Sequence, residues 1–206
     1  MDWTLFIDIG GTLIGLVYLW LEYRANIWLW LFGVIMPVVN AWLYYDRGLY
    51  ADFAMESYYI VAAVYGYLMW RYKGRSGPDK GDARRPREGE GIVHMNLVQV
   101  AGALVAVGVI WWGIHYVLVH YTDSRVPVLD SLTTATSIVA MWALAQKYVE
   151  QWLMWFVVDA ICLGLYFYKG IPFHAMLYGF YTVMAIVGYR RWCRYAREGN
   201  VAGSAA

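Results

Sequence analysis

Three residues of the segment WLMWFVVD, Trp152, Trp155 and Asp159, are the strongest candidates for chemistry in this chain. At helical spacing they stand at i, i+3 and i+7, so two indole rings and one carboxylate share a face. They lie inside an apolar run from Gln151 to Tyr168. An ionisable group in the middle of a lipid-spanning helix costs several kcal/mol or more and normally faces a cavity or a partner. Such a stripe looks like a binding site inside a membrane. The competing reading is structural: interfacial tryptophans, and Asp159 bonded to a neighbouring helix.

Other polar groups in apolar surroundings extend the list. Glu56, in FAMESYY, lies about one turn inside the outer end of its segment with Tyr59 on the same face. It is either a second carboxylate of the cavity or a side chain snorkelling to the interface. Asn40 and Gln99 could line a polar path or join helices by hydrogen bonds, the second being the favoured role. Asp8 and Asp130 fall near helix starts, where a carboxylate complements the dipole. His94, His115, His120 and His174 have no HExxH or comparable spacing, and Cys162 and Cys193 have no metal-ligand or CxxC spacing. No metal, cofactor or catalytic motif is expected.

The elements that must position these residues follow from composition. Of 206 residues 61% are hydrophobic and only 15% charged, and the net charge is +1, which points to a polytopic membrane protein and gives no basis for nucleic-acid binding. Seven runs reach the roughly 20-residue length a bilayer demands. They are Leu5 to Glu22, Ile27 to Tyr45, Phe53 to Trp70, Met95 to Tyr121, Pro127 to Ala145, Gln151 to Tyr168 and Phe173 to Trp192. The N-terminal run lacks a basic region and a cleavage site and carries Asp2 and Asp8, so a cleaved signal peptide is not expected. The expected division is a three-helix repeat at 1–72, a disordered cytoplasmic loop at 73–93 and a linking helix at 94–122. A second three-helix repeat at 123–194 and a flexible tail at 195–206 complete it. The loop is rich in Gly, Pro and charge and has no apolar period.

Basic residues orient the chain, because Lys and Arg collect on the cytoplasmic side. One side holds Arg24, the seven of the long loop from Arg71 to Arg87, Lys147, Arg190, Arg191, Arg194 and Arg197. The other holds only Arg47, Arg125 and Lys169. The N-terminus is therefore expected outside and the C-terminus in the cytoplasm. A constant offset of 122 residues relates the halves: Asp8 and Asp130, Thr12 and Thr134, Trp20 and Trp142, Trp30 and Trp152, Tyr44 and Tyr166, Tyr59 and Tyr181, Gly66 and Gly188, Trp70 and Trp192 are identical pairs. Three spans, a linking span and three more make a 3+1+3 parallel duplication, an architecture that encloses a substrate near the midplane. The stripe itself is not duplicated, since Trp155 falls opposite Gly33 and Asp159 opposite Pro37.

These features resemble the PnuC-like vitamin transporters. The resemblance rests on KYVEQWLMWFVVD (Lys147 to Asp159), YKG (Tyr168 to Gly170), GLYADFAMESYYIVAAVYGYLMW (Gly48 to Trp70) and GYRRW (Gly188 to Trp192). It spans nearly all of the chain except the long loop and the tail. It implies seven helices in a SWEET-like 3+1+3 fold, a homotrimer in the bacterial inner membrane, and passive uptake of a vitamin that cytosolic phosphorylation traps. It further implies that Trp152 and Trp155 stack on the substrate ring. Asp159 stands where carriers of nicotinamide riboside tend to have Asn, and Glu56 where they tend to have Gln. A carboxamide donates and accepts, whereas an ionised carboxylate only accepts. Nicotinamide riboside is the substrate implied by default; thiamine, with its amino group and permanent cation, is the alternative. The expected substrate site is Trp152, Trp155, Asp159, Glu56 and Tyr59. An integral-membrane enzyme or a structural subunit is the reading from another class; the first lacks a paired acid and base, the second leaves the acidic aromatic stripe unexplained.

Overall fold

A computed structural model describes residues 3–46, 50–73, 89–122, 126–168, 170 and 172–204. Its seven helices are α1 (Trp3–Tyr23), α2 (Leu29–Asp46), α3 (Tyr50–Lys73), α4 (Leu97–Tyr121), α5 (Pro127–Ala145), α6 (Gln151–Tyr168) and α7 (Pro172–Ser204). Helix is the element these runs must form, because backbone groups in lipid have to be satisfied within the segment. At 1.5 Å per residue, even the 18-residue α2 and α6 reach about 27 Å, close to the hydrocarbon thickness. Among the described residues α2, α4, α5 and α6 are each long and apolar enough to cross a bilayer.

Six helix starts and ends agree with the apolar runs to within a few residues, and α7 does not. It continues past the expected tail boundary at 194 to Ser204. No proline interrupts this stretch, Ala196 is buried, and Arg191 Nε donates to the Tyr195 hydroxyl one turn on at 2.8 Å, so the helix has side-chain support where a flexible tail was expected. Most of the expected disordered loop, residues 74–88, lies outside the described residues. Its last residues are held: Val93 N–H donates to Lys147 O and its own carbonyl accepts from Val149 N–H at 3.1 Å.

The chain forms two compact units, Met1–Gly91 and Ile92–Ala206. In the first, α1 packs on α2 and α2 on α3; in the second, α4 packs on α5, α5 on α6 and α6 on α7. The linking helix thus belongs with the second repeat. Glu150 accepts from Met95 N–H at 2.9 Å and from His94 Nδ1–H at 2.8 Å. Asn96 and Gln99 form a capping box at the start of α4, and Gln99 Nε2 also donates to the Tyr148 hydroxyl at 2.8 Å. Gln99, expected to join helices, thus ties α4 to the turn between α5 and α6.

The duplication is visible in backbone geometry. α1 ends with Ala25 N–H donating to Glu22 O and Asn26 N–H to Leu21 O; α5 ends with Lys147 N–H donating to Leu144 O and Tyr148 N–H to Ala143 O. Both are Schellman closures with a left-handed residue, Ala25 at φ 51° and Lys147 at φ 61°. Every position differs from its mate by 122. Neither left-handed residue is glycine, so no glycine in the sequence marks these turns.

Candidate functional site

The entry to α6 sets the position of the whole stripe. Trp152 is 1% exposed and meets Trp192 of α7 edge to face, with ring centroids 5.9 Å apart and an interplanar angle of 83°. Gly188 lies against the indole, and a methyl group there would sit 2.6 Å from Trp152 Cε2. The first unit repeats this arrangement: Trp30 and Trp70 lie 5.6 Å apart at 89°, and Gly66 faces the Trp30 ring more closely still. Two tryptophans and one glycine on paired helices are therefore a packing device of the fold, present once in each repeat. The ring of Trp152, expected to share a ligand-facing platform with Trp155, is enclosed by its own α7.

Trp155 has a different environment. Its mate Gly33 leaves space that the Tyr18 ring occupies, since a methyl on Gly33 would lie 3.1 Å from Tyr18 Cε2. The mate of Tyr18 is Ala140, buried on α5. Between the repeats a large ring and a small residue have exchanged sides: tyrosine on the first helix with glycine on the second, or alanine on the first with tryptophan on the second. Trp155 is half-buried, and its Nε1 is buried without a hydrogen-bond partner.

Asp159 is 8% exposed and accepts no hydrogen bond from a described residue. It lies within electrostatic reach of Tyr178 and Tyr181 on α7. Those rings belong to a cluster missed in the sequence reading. Tyr166 and Tyr178 stack with centroids 5.2 Å apart and planes 13° from parallel; His174 lies 5.0 Å from Tyr166, and Tyr181 meets Tyr178 edge-on. The signal was available, because Cys162 and Tyr166 continue the spacing of Trp152, Trp155 and Asp159 along one face of α6. The Asp130 carboxylate lies within reach of Tyr166.

In the first unit the expected pair Glu56 and Tyr59 comes together with Asn40. Asn40 Nδ2 donates to Glu56 Oε1 at 3.1 Å, joining α2 to α3 as expected of Asn40. Glu56 is thus tied to a neighbouring helix. Tyr59 lies beside Tyr58 and within electrostatic reach of Glu56 and Tyr18, and Tyr18 in turn of Glu22. Glu22, expected at the boundary of the first span, is 3% exposed near the end of α1. Among the described residues no three His, Cys, Asp or Glu side chains converge as a metal site.

Two features define a class: seven helices in a 3+1+3 duplication, and a buried carboxylate with a half-buried indole on one face of α6. It is that of a polytopic membrane transporter. The chain belongs to the nicotinamide mononucleotide transporter family, which it matches over residues 5–194. It is similar to the nicotinamide riboside transporter PnuC of Escherichia coli, at 25% identity over 94% of this chain and 87% of that one. It is also similar to the riboflavin/roseoflavin transporter RibM of Streptomyces davaonensis, at 26% identity over 93% of this chain and 86% of that one. The crystal structure of the vitamin B3 transporter PnuC shares the fold, with a TM-score of 0.67 and 23% identity over 90% of this chain and 80% of that one.

Proposed function

We propose that this protein carries a small aromatic vitamin across the bacterial inner membrane, nicotinamide riboside by the relationship to PnuC. The observation that carries the reading is Asp159, buried in mid-helix without a hydrogen-bond donor from a described residue, one turn from the unpartnered Nε1 of Trp155. A carboxylate left in that state in a membrane helix calls for a cationic or amine-bearing guest. The indole supplies the stacking face such a ring needs. Trp155 is the ring that stacks, Asp159 the acceptor, and Trp152 holds α6 against α7 so that both keep their direction. Glu56 and Tyr59 of the first repeat are further substrate-binding residues in this reading, with Asn40 donating to Glu56. The N-terminus lies outside and the C-terminus in the cytoplasm, the protein works as a homotrimer, and transport is passive, by rocking of the two repeats.

Thiamine is the second reading, favoured by the two carboxylates Asp159 and Glu56 where carriers of nicotinamide riboside tend to have carboxamides. Binding of radiolabelled nicotinamide riboside and thiamine to purified protein decides between them, with Asp159→Asn as comparator. The substitution is expected to shift preference toward nicotinamide riboside, because an amide side chain both donates to and accepts from a carboxamide. Failure of the wild type to bind either compound would overturn the vitamin reading.

A further inference from the structure

One group near this face is used by none of the roles above. Gln151, the first residue of α6, is 0% exposed, and both its Oε1 and its Nε2 lack hydrogen-bond partners. A fully enclosed amide with neither end satisfied is costly to the fold. The neighbouring Gln99 shows the ordinary solution, with every end of its amide used in the capping box and at Tyr148. The first repeat avoids the cost altogether, because the mate of Gln151 is Leu29, also 0% exposed. The position is therefore an apolar packing site into which the second repeat has placed a polar group.

Gln151, Trp155 and Asp159 stand at i, i+4 and i+8. They rise about 6 Å per step, about 12 Å in all, and turn through only about 80°. Each presents hydrogen-bonding capacity that no described residue meets: an amide, an indole N–H and a carboxylate. The amide is the one that both donates and accepts. An anion such as phosphate would satisfy Nε2 and leave Oε1 facing negative charge, whereas a hydroxyl group, itself donor and acceptor, answers both ends.

We propose that Gln151 is a subsite for the hydroxyl-bearing arm, sugar or hydroxyalkyl, of a substrate whose aromatic ring lies at Trp155 and Asp159. The proposal rests on the vitamin reading of the same face and adds to it a basis for selectivity: rings that carry a hydroxylated arm are preferred over bare rings. Since Gln151 is enclosed, contact belongs to the stage of transport in which the packing around the head of α6 parts.

The test uses the full chain purified in detergent and two ligand pairs. These are nicotinamide riboside against N-methylnicotinamide, and thiamine against its analogue with ethyl in place of hydroxyethyl. Gln151→Leu adopts the residue of the first repeat, so the thermal midpoint is expected to be unchanged or raised. It should lower affinity for the hydroxylated member of the bound pair about tenfold, the share of one or two hydrogen bonds, and leave the bare ring unchanged. Gln151→Glu, which keeps the shape and loses the donor, should show a smaller loss and serves if the leucine variant does not fold. Equal losses for both members of a pair, or none for either, would overturn the subsite while leaving the vitamin reading intact. If the wild type bound neither ring, the vitamin reading would fail and the subsite with it.

Discussion

At the scale of the residue, Trp152 and Trp155 look interchangeable in sequence and differ in what they touch. Trp152 fills the space between Gly188 and Trp192, so its loss empties a packed interior. Trp152→Ala is expected to lower stability by the order of 3 kcal/mol, read as a fall in the thermal midpoint in detergent. Trp155→Ala should leave the midpoint nearly unchanged and weaken ligand binding about tenfold to a hundredfold, the worth of one stacked ring. Equal effects of the two substitutions on binding, with no difference in melting, would restore the two-ring platform. The pattern WxxW was legible from spacing alone. Which indole is enclosed was not, because that depends on Gly188 and Trp192, some 40 residues away in the chain.

At the scale of the element, the repeated tryptophan and glycine contact fixes how each outer helix pair packs. Close helix approach in membranes relies on small residues, since lipid offers no hydrophobic drive toward association. Gly188→Ala pushes a methyl into the Trp152 ring and is expected to cost about 1–3 kcal/mol, with Gly66→Ala acting in the same direction through Trp30. Because Gly188 and Trp152 share one contact, Gly188→Ala combined with Trp152→Leu should melt higher than the sum of the single losses allows. Strict additivity would mean that the ring and the glycine do not meet. Helix extents were read well from hydropathy, as α5 and α6 show, whereas the run of α7 to Ser204 was not. Its last turns are polar, and the support they receive from Tyr195 and the burial of Ala196 is not written in an apolar pattern.

At the scale of the whole molecule, the proposed passive cycle predicts that proteoliposomes fill with substrate to the external concentration without any ion gradient, and that an imposed proton or sodium gradient does not raise the plateau. Accumulation above the external level would overturn the passive mechanism. Orientation has its own check. A cysteine at Ser76, in the basic loop, should resist an impermeant thiol reagent added to intact cells, and one at Ser124 should react; the opposite pattern would invert the chain. Both measurements test the charge asymmetry at the level where it acts, since the preference of Lys and Arg for the cytoplasmic face is a property of insertion.

Sequence by itself determined the class of the protein, the seven helices, the duplication and the position of the acidic aromatic stripe. Length and apolarity leave a lipid-embedded backbone no other element, and a register of 122 identical in several spans is a one-dimensional fact. Tertiary structure alone decided which side chains of the stripe are enclosed by their neighbours and which are less so. Burial and hydrogen-bond satisfaction are set by neighbours distant in sequence: Tyr18 opposite Gly33, Trp192 against Trp152, and the enclosure of the Gln151 amide where the other repeat carries Leu29.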